Sequence, residues 1–236
     1  MYISKEIEFN DDLPQLIINS EKVLDADVLI IAQKIISKQE GRTVELSSII
    51  PSMLAEGIGS EYKKDSRIIE LILNESKKII RMDHGIIIVE TNNGLICANA
   101  GIDESNVKHG FVTLLPLNSD LSAKKICNEI LKKTNKAVSV IISDTFGRPF
   151  RMGQINCAIG ISGMNPILDY AGTRDTFKKP LRVTAIAIAD ELCSAAELVM
   201  KKTANCPIAI IRGYDFKNEN SSIDNLIRPQ DEDLFR

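Results

Sequence analysis

Runs of apolar residues that end in polar side chains divide this sequence into its elements. Residues 27–32 form one such run and end at Gln33, and residues 138–142 form another that leads to Asp144 and Thr145. Short continuous runs rich in Val and Ile are typical of strands buried on both faces of a sheet. In open α/β sheets ligands bind beyond the carboxyl ends of strands, so both polar exits are candidate binding positions.

The second run opens a longer stretch, residues 138–163, that contains two arginines. Its Phe-Gly-Arg-Pro segment, residues 146–149, predicts a break in regular structure because Gly permits unusual φ values and Pro has no amide donor. Arg148 and Arg151 are therefore expected in a loop just beyond the strand. A solvated charge cluster explains these residues, taken alone, as well as a binding site does.

Helical spacing of apolar residues appears in several other segments. Asp11 or Asp12 is a suitable N-cap for the first of them. The predicted helices cover residues 13–23, 66–80, 121–133 and 189–200. Residues 181–188 fit a strand and a buried helix equally well, and residues 207–211 are predicted as a last strand.

A β-hairpin is predicted where residues 86–90 and 95–98 flank Asn93-Gly94, since Asn-Gly favours the tight turn of a hairpin. Its second strand leads directly to Asp103 and Asn106. We expect Asp103 to face Asp144, and two carboxylates that approach each other repel unless a cation lies between them. Hard divalent ions prefer such oxygen ligands.

Lys34 and Lys38 follow the first strand and are four residues apart, with Gly41 behind them. Such lysines can hold phosphates as point charges, although the GxxxxGK[ST] order of a P-loop is absent. The spacing by itself favours an amphipathic helical turn with solvated lysines over a phosphate site.

Composition restricts the class of protein. The chain has 236 residues, 44% of them hydrophobic, and a net charge of -3, which gives no reason to expect a nucleic-acid partner. It contains no internal repeat or linker, so we expect a single unit, 1–236, of one or two subdomains, with a loosely held polar tail at 217–236. No window holds the roughly 20 apolar residues of a membrane span, and five isolated cysteines favour reduced thiols in a cytoplasmic protein.

Candidate chemistry rests on acids, lysines and arginines. His84 and His109 are not set beside a Ser or Cys in a recognisable nucleophile frame, which argues against a catalytic triad. Carboxylates with basic residues suit phosphoryl transfer, which depends on positioning and charge neutralisation more than on a tuned base.

Four sequence blocks, in order and spacing, resemble the coenzyme F420-0:L-glutamate ligase family. They are IAQKIISKQEGR (31–42), CANAGIDESNV (97–107), SDTFGRPFRMGQINCAIGISG (143–163) and ADELCSAAELVM (189–200). The end of the chain, residues 228–236, is similar to the family's C-terminus. The resemblance spans nearly the whole chain and is that of a stand-alone family member.

The resemblance implies a GTP-dependent amide ligase that joins L-glutamate to a carboxylate of a deazaflavin coenzyme precursor, adds a second glutamate by a γ-glutamyl bond, and proceeds through an acyl phosphate. It implies an α+β fold with a mixed sheet and flanking helices, in an intertwined homodimer and not a P-loop or ATP-grasp domain. Magnesium or manganese, and a monovalent cation such as potassium, are the expected cofactors. The alternatives are a ligase for another carboxylated acceptor and an inert nucleotide-binding homologue.

Residue roles are carried over from the matching blocks. The implied metal ligands are Asp103, Asp144 and Thr145, and the two acids with Arg148 are the implied catalytic residues. The implied nucleotide contacts are Gln33, Lys34, Lys38, Asn106, Met200, Lys201, Lys202 and Thr203. Arg148 and Arg151 are assigned to phosphate or substrate carboxylate.

The loop after Met200 departs from the family. Members usually carry Gly next, and some place a metal-binding acid or amide two positions on, where this chain has Lys201 and Lys202. An ammonium cannot ligate a cation. The resemblance therefore leaves open whether a second metal is lost or is held by other groups. It also leaves open that the two lysines instead contact nucleotide phosphates.

Overall fold

The structure is a computed structural model that describes residues 1–3, 5–217, 219 and 221–234. Its helices are α1 (Leu13–Ser20), α2 (Gln33–Gln39), α3 (Met53–Tyr62), α4 (Ser66–Asn74), α5 (Ser119–Thr134) and α6 (Ile188–Met200). Its strands are β1 (Val28–Ala32), β2 (Thr43–Glu45), β3 (Ser76–Asp83), β4 (Ile86–Thr91), β5 (Ile96–Ala98), β6 (Phe111–Thr113), β7 (Ser139–Arg148), β8 (Arg151–Ser162), β9 (Leu168–Asp169), β10 (Ala185–Ile186) and β11 (Ile208–Ile211).

The central sheet is mixed and has the strand order β11-β1-β7-β8. β1 runs parallel to β7 and antiparallel to β11, and β7 pairs with β8 as a hairpin. Leu29 and Ile31 of β1 face the cluster built with α1, α2 and α5, whereas Val28 and Ile30 face the cluster built with α6. The prediction that these apolar runs are strands buried on both faces is confirmed, and the fold is α+β with flanking helices.

A second, smaller sheet has the order β3-β4-β5 and packs against α3 and α4. The predicted hairpin is confirmed as β4 and β5, which pair antiparallel across the turn at Asn93-Gly94. The predicted first helix is also confirmed, and Asp12 caps it by accepting a hydrogen bond from the backbone N–H of Gln15 at 3.0 Å.

The prediction of one helix over residues 66–80 is wrong in its second half. α4 ends at Asn74, and β3 begins at Ser76. Ile79 lies in β3 opposite Val89 of β4. Apolar residues that match a helical period also match the alternation of a strand over a few positions, and pairing with β4 decides between the two.

The prediction that regular structure breaks at residues 146–149 is also wrong. β7 continues through Arg148, and Gly147 pairs with Gln154 of β8 without a left-handed φ. Pro149 lies in the turn of the hairpin, where a strand ladder needs no amide donor. Arg148 and Arg151 therefore lie opposite each other at the hairpin tip and not in a loop beyond a strand.

The C-terminal segment returns to the central sheet. A 3₁₀ turn, Ile223–Leu226, places Ile223 in the α6 side of the core. The Asp120 carboxylate accepts hydrogen bonds from the N–H of Ile223 at 3.0 Å and of Ile161 at 2.7 Å. The loose hold expected of residues 217–236 stays a prediction, and residues 218, 220, 235 and 236 lie outside the described residues.

Candidate functional site

A cavity of about 1400 Å³ opens at the carboxyl ends of the parallel strands β1 and β7. Its lining includes N-terminal residues, the start of α2, the turn after β5, the β7–β8 hairpin and the loop after α6, with further residues from β3, β4, β5 and the C-terminal segment. Because β1 and β7 are neighbours and parallel, their polar exits meet at one edge of the sheet.

The cavity brings together most of the residues singled out in the sequence. They are Gln33, Lys34, Lys38, Asp103, Asn106, Asp144, Thr145, Arg148, Met200, Lys201, Lys202 and Thr203. Arg151 is exposed at the start of β8 and lies outside this lining. Arg148 and Arg151 are cross-strand partners at the hairpin tip, but only Arg148 lines the cavity.

Asp103 is held in place by backbone and side-chain contacts. Its backbone N–H and C=O both bond to Thr113, and its carboxylate accepts a hydrogen bond from the N–H of Ser105 at 2.6 Å. Lys34 Nζ lies 2.7 Å from Asp103 Oδ2. Burial acts to raise the pKa of Asp103, but the hydrogen bonds from Lys34 and Ser105 outweigh it, and the pKa is lowered overall.

The pKa of Asp144 is shifted in the opposite direction. Burial, together with the negative charge of Asp103, raises the pKa of Asp144 to about 6, although the Thr145 N–H and the charges of Lys202 and Lys34 act against this shift. Within the part of the chain that the structure describes, no Lys or Arg forms an ion pair with Asp144. The site thus contains one carboxylate that is paired with a lysine and one that the charges of Lys202 and Lys34 reach without an ion pair among the described residues.

A divalent cation suits this pair of acids. The carboxylates of Asp103 and Asp144 and the hydroxyl of Thr145 are hard oxygen donors, and the raised pKa of Asp144 marks the charge that such a cation would offset. Among residues 1–3, 5–217, 219 and 221–234, no group of three or more His, Cys, Asp or Glu gathers to hold a metal. The fit therefore rests on two acids, a hydroxyl and oxygens from a bound ligand.

The two lysines of α2 are not solvated, contrary to what their spacing alone favoured. The Lys34 and Lys38 side chains are only 18% and 13% exposed. Lys38 Nζ donates to the backbone carbonyl of Asn106 at 2.6 Å and forms an ion pair with Glu6. The helix turn itself is confirmed, but its lysines face the turn after β5 and the N-terminal segment.

Two further cavity residues, Asn156 and Glu197, escaped the sequence analysis. Asn156 on β8 is 4% exposed, accepts a hydrogen bond from Thr145 Oγ1 at 2.8 Å and donates one to Glu197 Oε2 at 3.1 Å. Lys202 Nζ lies 2.5 Å from Thr145 Oγ1. Recognising β8 as the partner of β7 would have placed Asn156 opposite Thr145, whereas no local pattern marks Glu197.

Arg148 and Gln33 both line the cavity. Arg148 donates from Nη2 to the Met152 carbonyl at 2.7 Å, and its buried Nε finds no hydrogen-bond acceptor among the described residues. A buried donor of this kind is costly unless a ligand accepts from it. Gln33 is buried and accepts from Ser37 Oγ at 2.8 Å through Oε1.

Comparisons with known proteins agree with one another. The family model described as F420-0:Gamma-glutamyl ligase matches residues 3–213. Coenzyme F420:L-glutamate ligase of Methanothermobacter thermautotrophicus is 44% identical over 234 residues, covering 96% of this chain and 93% of that protein. The protein of the same name from Methanocaldococcus jannaschii is 45% identical over 213 residues, covering 90% and 85%.

A third similar protein, the coenzyme F420:L-glutamate ligase of Archaeoglobus fulgidus, is 38% identical over 231 residues, with 98% of this chain and 92% of that protein covered.

No helix in the described residues is both long and apolar enough to cross a membrane.

Proposed function

Since this chain belongs to the F420-0:gamma-glutamyl ligase family, we propose that it joins L-glutamate to a deazaflavin coenzyme precursor at the expense of GTP. A first glutamate is attached through its amine to a carboxylate of the precursor, and a second is added by a γ-glutamyl bond. The observation that carries this assignment is a cavity that contains several lysines and two carboxylates, of which Asp103 has a lowered pKa and Asp144 a raised pKa.

The proposed chemistry passes through an acyl phosphate. An oxygen of the acceptor carboxylate attacks the γ-phosphorus of GTP, the bond to the β-phosphate oxygen breaks, and GDP leaves. The glutamate amine then attacks the activated carbonyl carbon, the amide bond forms, phosphate departs, and the amine proton passes to solvent. Such transfers depend mainly on alignment and on stabilisation of charge by fixed donors.

Basic residues of the cavity hold the phosphates in this proposal. Lys34 and Lys38 approach from α2, and Lys201 and Lys202 approach from the loop after α6. Gln33, Asn106, Met200 and Thr203 complete the nucleotide contacts. A phosphate that displaced Glu6 from Lys38 would exchange one anion for a more highly charged one, which favours binding.

Asp103, Asp144 and Thr145 would hold magnesium or manganese, which neutralises phosphate charge when bound. Asp144 contributes a carboxylate that forms no ion pair among the described residues, whereas Asp103 forms one with Lys34 at 2.7 Å. A monovalent cation such as potassium is proposed as an additional requirement.

Arg148 is proposed to bind the acceptor carboxylate or a transferred phosphate. Its buried Nε has no acceptor in the part of the chain that the structure describes, and a guanidinium edge can bind a carboxylate or phosphate through two parallel hydrogen bonds. Arg151 lies outside the cavity lining of one chain, so a role for it would require the intertwined homodimer that we also propose.

Purified protein mixed with GTP, manganese, L-glutamate and the deazaflavin precursor should form GDP, phosphate and glutamylated products that mass spectrometry resolves. GDP release that depends on another carboxylic acid, with the precursor unused, would assign a different acceptor. Metal-independent GTP binding in calorimetry without any turnover would identify an inert homologue.

A further inference from the structure

Lys202 places its ammonium group among three side-chain oxygens. Its Nζ lies 2.5 Å from Thr145 Oγ1, 3.4 Å from Asn156 Oδ1 and 3.4 Å from Glu197 Oε1. A lysine that merely covered Glu197 would be an ordinary surface ion pair of little consequence. The contacts with a hydroxyl and an amide oxygen in addition make this an oxygen cage, defined here as Thr145 Oγ1, Asn156 Oδ1 and Glu197 Oε1.

The cage is built by the fold independently of the lysine. Thr145 on β7 and Asn156 on β8 are cross-strand partners, and Thr145 Oγ1 donates to Asn156 Oδ1 at 2.8 Å. Asn156 Nδ2 donates to Glu197 Oε2 at 3.1 Å, and Ser194 Oγ of α6 donates to the Asn156 carbonyl at 2.9 Å. Two strands and a helix therefore fix the three oxygens before any cation arrives.

One carboxylate, one amide carbonyl and one hydroxyl form a donor set that hard cations accept. The ammonium of Lys202 is a compact point charge with three donors and no acceptor, so it satisfies these oxygens as a cation does and repels any metal ion at the same place. The charge also reaches Asp144, where it acts to lower the pKa of that carboxyl.

We propose that Lys202 is a built-in cation of this site, which fills the Thr145–Asn156–Glu197 cage in place of a free metal or monovalent ion. The chain then carries its own positive charge at this edge of the cavity at all times. Because the ammonium group already contacts Thr145 Oγ1, the divalent ion proposed above would then be held by the Asp103 and Asp144 carboxylates and by oxygens of the bound substrates. This role lies in the same cavity as the proposed ligase chemistry but stands without it, because only the chain's own atoms form the cage.

The test removes the lysine and offers free cations to the cage. Lys202→Ala keeps the three oxygens and, because the side chain is 61% exposed, leaves the core intact. Thermal unfolding is measured without nucleotide or acceptor in about 100 mM ammonium or potassium chloride, and at the same ionic strength in tetramethylammonium chloride. Tetramethylammonium is too large for the cage and has no N–H donor.

We expect the Tm of Lys202→Ala to be about 2–4 °C higher in ammonium or potassium than in tetramethylammonium, because a bound ion stabilises the folded state by mass action. The wild type and Lys125→Ala, which removes an exposed lysine of α5, should show no such difference. Lys202→Ala combined with Glu197→Ala should lose the response, since the cage then lacks its carboxylate.

Equal Tm values for Lys202→Ala in all three salts would overturn the built-in cation, and so would a response that survives in the double variant. Because the measurement contains no GTP, no glutamate and no precursor, either result would leave the proposed ligase function standing. If Lys202→Ala shows the ion-dependent Tm but the wild type has no ligase activity, the built-in cation stands and the proposed function fails.

Discussion

Asp144 carries a carboxylate whose pKa is raised to about 6 because burial, and then the charge of Asp103, disfavour its ionised form. Lys34 forms an ion pair with Asp103, whereas no Lys or Arg among the described residues forms one with Asp144. At neutral pH the Asp144 carboxylate is therefore ionised in an environment that disfavours its charge. Sites with perturbed carboxylates of this kind are typical of catalytic and metal-binding centres.

Asp144→Asn should remove most turnover while the fold persists. The amide keeps the shape of the side chain but deletes the negative charge that a divalent cation would need. We expect turnover to fall at least about 100-fold, the scale of a lost charge-stabilising contact. GDP release and far-ultraviolet circular dichroism, measured on the same sample, check the two halves of this prediction, and near-normal turnover would argue against a metal role.

The same variant should be more stable than the wild type when metal is absent. Since the pKa of Asp144 is raised from 3.8 to about 6, the folded state binds the proton more tightly than the unfolded state. The cost of ionisation is absent below pH 3.8, grows as pH rises to about 6, and stays constant above it. Urea unfolding in a chelator should show a gain of about 1–3 kcal/mol at neutral pH. A gain of the same size at pH 3 would mean that charge is not the cause.

Lys38→Ala should raise the GTP concentration required for half-maximal turnover about tenfold, as expected for loss of one partly exposed charged contact. Lys38 is 13% exposed and lies between Glu6 and the Asn106 carbonyl. Initial rates at varied GTP and at varied glutamate distinguish the two substrates. Lys125→Ala, with the same loss of charge outside the cavity, is the control, and a change confined to glutamate would place the nucleotide elsewhere.

At the scale of elements, α5 packs closely against β8, the edge strand of the central sheet that carries Asn156. Gly160 of β8 lies so close to the start of α5 that a Cβ there would meet Ser119 Cβ at 2.3 Å and the Ser119 carbonyl carbon at 2.5 Å. Asp120, in the first turn of α5, bonds to Ile161 of the same strand. Close backbone approach therefore fixes the position of β8, and with it the position of Asn156.

Gly160→Ala should destabilise the protein by about 1–3 kcal/mol, because the extra methyl group forces α5 and β8 apart. Gly57→Ala is the matched control: nothing lies within 4 Å of its added Cβ in α3, so helix propensity alone should stabilise by roughly 0.5–1 kcal/mol. Chemical unfolding measures the free energy of unfolding of both variants, which should fall in Gly160→Ala and rise in Gly57→Ala. Equal effects in both variants would show that the predicted clash is relieved without cost.

At the scale of the whole molecule, one chain exposes several large apolar side chains. Phe150 and Met152 at the tip of the β7–β8 hairpin are 91% and 97% exposed, and Leu198 and Val199 project from α6. Exposed apolar groups of this size are typical of association surfaces. The hairpin tip also carries Arg151, which lies outside the cavity of its own chain.

We expect a homodimer of about 52 kDa, twice the 26.1 kDa of one chain, and expect Met152→Glu to weaken it at least about tenfold because a charge would be buried at the interface. Sedimentation equilibrium measures the dissociation constant. Met53→Glu changes an equally exposed methionine of α3 and should leave it unaltered. Dissociation caused by Met53→Glu instead would place the interface elsewhere.

The apolar runs of β1 and β7, the Asn93-Gly94 hairpin and the capped helix α1 follow from sequence alone, because each is specified by local periodicity and turn chemistry. The same local patterns marked Asp103 and Asp144 as residues at strand ends. Their assignment to a metal and a nucleotide came from ordered blocks that resemble a known family, and it stays a prediction.

Tertiary structure decided what local pattern could not. Residues at the end of a helical pattern form strand β3 because they pair with β4. Pairing with β8 extends β7 through Gly147 to Arg148. Long-range contacts set which charges meet: Lys34 reaches Asp103 across 69 positions of sequence numbering, and Lys202 reaches Thr145 across 57. Sequence specifies which groups are available, whereas strand pairing and burial fix which of them share a cavity and which carboxylate has a raised pKa.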